Sequence, residues 1–108
     1  MNESIKESDW QLFRTINPAA LDRYCKESLE GVSNLLKDAD VNSCDKTFKI
    51  FDYMKSRRKL QSDLFGDYRR STAEFQLIRM ARVGVLKESE INSLSEELRD
   101  KIKTVLSL

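Results

Sequence analysis

From Ser8 to Leu106, apolar residues recur every three or four positions, the spacing of helices that each bury one face. Ser8 and Gln11 have the separation of a capping box, which predicts a short first helix over about residues 9–15, carrying Trp10 and Phe13. Asn17 followed by Pro18 is a second start signal. Asn caps well, and Pro at the first helical position loses no hydrogen bond. The second helix is therefore expected over about 18–37. At about 100° per residue, Leu21, Tyr24, Cys25, Ser28, Leu29, Val32, Leu35 and Leu36 share one of its sides, opposite Asp22, Arg23, Lys26, Glu27, Glu30 and Asn34.

The polar stretch Asp38 to Ser43 interrupts the pattern, and Ser43 is placed to cap a third helix over about 44–65. Gly66 and Asp67 mark a break, after which a fourth helix is expected over about 68–83, with a Ser71 to Glu74 capping box near its start. Gly84 suits the left-handed cap at its end. Residues 87–92 read as a short helical turn, and Ser95 caps a last helix to about Leu106. Ile91, Leu94, Leu98, Ile102 and Val105 form one stripe there, suited to docking.

Composition supports the same picture. Three Gly, one Pro and no β-branched runs in 108 residues favour helices, and 40% apolar residues are enough for one core. The expected fold is all-α: a single domain, residues 1–108, forming a small antiparallel bundle of three long helices plus short N- and C-terminal helices. Disorder is expected only at the ends, residues 1–8 foremost. No stretch approaches the roughly 18 apolar residues of a membrane span, and Met1 to Asp9 holds no signal-type apolar run. A cytoplasmic protein with no membrane contact is the expectation.

The chain has no histidine, which removes the commonest general base and the commonest metal ligand together. Cys25 and Cys44 read as reduced thiols, and two Cys without His do not make a structural zinc site. Asp38, Asp40 and Asn42 open like a calcium loop, but Ser43 holds the place that needs Gly and Lys49 the place that needs a bidentate Glu. Neither a metal nor a cofactor is expected, and no catalytic residue is assigned.

Charge is uneven. From Lys55 to Arg82 eight basic residues face three acids, a local +5 within a chain of net +1. Lys55, Lys59, Arg79 and Arg82 fall on outward faces and form a candidate basic patch for nucleic acid. A helix-turn-helix over residues 72–101 is disfavoured, because its second helix would present Glu88, Glu90, Glu96 and Glu97 to phosphates.

Three charges break the apolar stripes. Arg57 falls in the column of Ile50 and Leu64, and Arg70 and Glu74 fall among Ala73, Leu77 and Ala81, four residues apart and within reach of an ion pair. A buried charge without a partner costs several kcal/mol, so the three are expected to form one network fixing helix register, or a site for an anionic group. Trp10 and Phe13 form a lid on the core or an anchor for a partner. These features favour a non-enzymatic helical interaction module that self-associates, as a homodimer or larger homo-oligomer, or binds another protein. The alternative is a nucleic-acid-associated or regulatory protein using segment 55–82.

Overall fold

The computed structural model describes residues 5–108, and the disorder expected over residues 1–8 falls partly on Met1–Ser4, outside the described residues. Ile5 is buried, and helix has begun by Glu7. The elements are α1 (Glu7–Lys37), α2 (Ser43–Phe65), a 3-10 turn (Arg70–Thr72), α3 (Ala73–Arg82), α4 (Glu88–Ser93) and α5 (Glu96–Leu106). No strand occurs among the described residues, so the fold is all-α.

Only two helices are long. The two expected N-terminal helices are one, of 31 residues, which runs straight through Pro18. Proline removes the bond to the carbonyl four residues back, here that of Arg14. Arg14 and Pro18 both lie on the exposed side, so water can take that carbonyl, while Phe13, Ile16, Asn17 and Ala20 are buried opposite. Tertiary burial of the stripe outweighs the local stop signal.

α2 begins one residue earlier than expected, because Asn42 rather than Ser43 is the cap: its Oδ1 accepts from Asp45 N at 2.9 Å. The expected helix over 68–83 starts later. Ser71 lies in the 3-10 turn, Thr72 is the cap residue, and neither closes a side-chain capping bond on Glu74. α3 does end at Gly84, whose φ is +79°. Val85 N donates to Met80 O and Gly84 N to Ala81 O, the paired bonds of a Schellman cap.

The molecule measures 55 × 24 × 23 Å, and a 31-residue helix is about 46 Å long, so α1 alone sets its length. The core occupies one end. There Ile5, Phe13, Ile16 and Ala20 pack on Ala73, Leu77, Met80 and Ala81 of α3 and on Leu94, Leu98 and Ile102 of the α4–α5 segment. Past Ser28 on α1, and before Leu64 on α2, no described residue is buried. That half of the molecule is a two-helix antiparallel arm standing on a globular base.

Candidate functional site

At the foot of the arm the two helices are clasped by an arginine. Arg57 of α2 donates from Nε to Ser28 Oγ (2.7 Å) and from Nη2 to the Tyr24 carbonyl (3.2 Å), and its guanidinium lies 3.8 Å over the Tyr24 ring. Tyr24 Oη returns a bond to the Arg57 carbonyl at 2.7 Å, and Glu27 pairs with Nη2 at 3.2 Å. Burial raises the Tyr24 hydroxyl pKa above its ordinary value, with the Arg57 cation opposing. The charge in the apolar stripe is thus the clasp between α1 and α2, with its Nε and Nη2 donors committed within the chain.

The expected three-charge network does not assemble. Arg70 and Glu74 do not pair, because Arg70 sits in the 3-10 turn and Glu74 in α3, which breaks the i,i+4 alignment. Arg70 instead binds Glu7 at the start of α1 and the Ile5 carbonyl, and Glu74 accepts from Lys101 of α5 at 3.0 Å. Neither residue meets Arg57. The anion pocket expected from these three is therefore not formed.

Two polar ties that the sequence pattern did not single out join the base. Asp9, 2% exposed, accepts from Ser95 N at 2.8 Å and from Ser95 Oγ, and that same Oγ caps Leu98 N at the start of α5. Arg23 donates to the Val85 carbonyl and to Glu90, which also accepts from Lys87 N. A carboxylate beside an apolar helix face was the available signal for Asp9. Its partner lies 86 residues away, so spacing did not reveal it.

Of the two readings of Trp10 and Phe13, lid or anchor, their packing is that of a lid on the core. Phe13 is fully buried, Trp10 stacks on it at 5.6 Å, and Tyr68 closes against both rings. The C-terminal stripe is also used internally, since Leu94, Leu98 and Ile102 lie in the core.

Lys55, Lys59 and Arg82 are exposed, and Arg79 is half-buried. Arg79 reaches the Asp63 carbonyl at 3.4 Å, one turn beyond Lys59, and lies 5.6 Å over the Phe75 ring. None of these four bases pairs with a carboxylate among the described residues, whereas Arg57, Arg69 and Arg70 all do.

The largest departure from a closed fold is on the arm. Leu29 is 64% exposed, Leu36 58%, Phe51 66% and Met54 38%. On α1, Cys25, Leu29, Val32 and Leu36 recur at i, i+4, i+7 and i+11 along one stripe, about a quarter-turn from the residues that face α2. On α2, Phe51, Met54 and Arg58 share a face in the same way. Both stripes lie on one side of the arm, because Cys25, Leu29, Met54 and Arg58 line a single groove of about 220 Å³ between the helices.

Among the described residues no three His, Cys, Asp or Glu side chains gather as metal ligands, and both cysteines are free thiols. Asp38 and Asn42 serve turns instead, Asp38 Oδ1 accepting from Asp40 N. No described helix is long and apolar enough to cross a membrane. Compared with models of protein families, with curated proteins and with solved structures, the chain matches none.

Proposed function

We propose that this chain is a non-enzymatic interaction module that self-associates through the apolar face of its two-helix arm. The observation that carries the reading is the set of four large apolar side chains, Leu29, Leu36, Phe51 and Met54, standing exposed along one side of the arm beside an apolar groove. Single exposed apolar residues need no explanation, but a continuous patch marks an interaction surface. A lone helical hairpin with no buried apolar residue past its clasp is marginal, and pairing two of them gives each a second layer to bury against.

Size supports a second copy of modest affinity. The stripe from Cys25 to Leu36 is about 17 Å long and the arm about 20 Å wide, so with flanking turns roughly 1,000 Å² in total is covered when two arms meet. That is the lower range for a specific interface. Burying each of the four side chains contributes about 1.5–3 kcal/mol, against an association cost of at least about 4 kcal/mol. A dimer in the micromolar range is expected. Sedimentation or light scattering tests it: the wild-type chain should dimerise, and Leu29→Glu with Met54→Glu should give a monomer of unchanged helicity. A chain that stays monomeric at high micromolar concentration overturns the reading.

A second reading has its own observation. Of the bases in segment 55–82, Arg57, Arg69 and Arg70 are spent on carboxylates within the fold, while Lys55, Lys59, Arg79 and Arg82 meet none among the described residues. A polyanion such as nucleic acid is the partner that outward, unneutralised cations suit. Salt-sensitive retention on single-stranded DNA, lost when all four become Gln, is the expected result; salt-insensitive retention dismisses it.

A further inference from the structure

Resting on the self-association just proposed, we infer how the two copies fit: Phe51 of each chain seats in the groove of the other, about a two-fold axis that crosses the arm beside Met54. Both halves of the contact stand on the arm. Phe51 is a rigid aromatic knob, 66% exposed, that the chain itself does not cover. The groove is the matching hole, about 220 Å³, and about 150 Å³ is enough to hold a benzene ring. Knob and hole face the same side, since Phe51, Met54 and Arg58 lie at i, i+3 and i+7 and the last two line the groove.

A surface that carries a knob and its hole on one face is self-complementary, which is the requirement of a closed two-fold dimer. Along α2 the groove is centred near Arg57, about 9 Å from Phe51 at 1.5 Å per residue. A two-fold that exchanges them passes halfway, at the level of Met54. The α1 stripe is centred at the same level. Cross-helix contacts set Ser28 beside Arg57 and Gly31 beside Tyr53, so Leu29 and Val32 stand level with Met54. The axis therefore passes at the level of Leu29 and Val32 as well.

The arm has room for it. From Met54 to the tip at Ser43 is about 16 Å, and from Met54 to Leu64, where the base begins, about 15 Å, so the axis crosses the arm near its middle. At the groove's rim Arg58, which pairs with no carboxylate among the described residues, is placed to lie over the incoming ring, a favourable cation–π arrangement.

Phe48 supplies an internal control. It is 65% exposed, close to Phe51, but is turned about 120° from Met54 and lies against the tip residues Asp40 to Lys49. Phe51→Ala is expected to weaken the dimer at least tenfold, while Phe48→Ala leaves its dissociation constant within about twofold. In a chain carrying Cys25→Ala and Cys44→Ala, Met54→Cys should crosslink to its own copy on mild oxidation, and Val41→Cys, at the tip, should not. If the wild type dimerises but Phe51→Ala does not weaken it, or Met54→Cys fails to crosslink, the arrangement is overturned and self-association stands. If the wild type is monomeric, both fall.

Discussion

Arg57 shows what one residue contributes to the arm. Its side chain is 18% exposed, and its bonds to Ser28 and Tyr24 join two helices that otherwise bury nothing beyond that level. Arg57→Leu leaves the Tyr24 carbonyl and Ser28 hydroxyl to find new partners, and loses the ring stacking. A loss of about 2–3 kcal/mol in denaturant unfolding is expected. Asp9 does the same for the base. Asp9→Ala removes both acceptors from Ser95 and loosens the cap of α5, with an expected cost of about 2 kcal/mol and a lower helical signal. Spacing marked Arg57 as out of place but named the partners of neither residue, because those lie on another element.

At the scale of elements, two positions in α1 test packing against propensity. Pro18 interrupts the backbone ladder on the exposed side, so Pro18→Ala restores a bond without disturbing the core. A gain of about 1–3 kcal/mol in unfolding free energy is expected, the lost rigidity of the unfolded chain being the smaller effect. Gly31 should respond in the opposite sense. Gly→Ala in a helix interior ordinarily stabilises by up to about 1 kcal/mol. Here a Cβ would stand 1.9 Å from Tyr53 Oη and 2.3 Å from its ring, so Gly31→Ala must displace Tyr53 or part the helices. Thermal melting of this variant should therefore fall rather than rise. The Asn17–Pro18 pair illustrates why local signals misplace a boundary: the residues that overrule it, Phe13, Ile16 and Ala20, act through α3 and α5.

For the whole molecule, acid should weaken the fold at particular joints. Glu7 has its pKa lowered by a hydrogen bond from Gln11 and by Arg70, Glu97 by Lys6, and Asp67 by Arg69. A carboxyl whose pKa is lower in the folded chain stabilises it fully above the unfolded value. That stabilisation is lost as pH falls through the folded value, below the ordinary carboxylate range. Unfolding midpoints should hold steady from pH 7 to about 5 and decline below about 4.5. Since Lys6–Glu97 and Glu7–Arg70 tie the chain's start to α5 and the 3-10 turn, amide exchange at Ile5 to Ser8 should accelerate before that of α3. High salt should weaken the same joints, because these ion pairs are solvent-facing and therefore screened.

The sequence by itself determined the all-α class, the Gly84 cap, the Ser95 cap and most helix limits, because periodicity, caps and glycine conformation act within a few residues. It also marked Arg57 as out of place, since a charge in an apolar column is visible on a wheel. Only the tertiary structure decided which apolar stripes were consumed. The stripe through Leu94, Leu98 and Ile102 looked available and is packed inside, while Leu29 and Leu36 shared what looked like a core-facing stripe and stand exposed. A stripe records that a helix buries one face, not what it meets. What it meets depends on how far α1 and α2 extend beyond the base, and that is set by contacts between residues far apart in the chain.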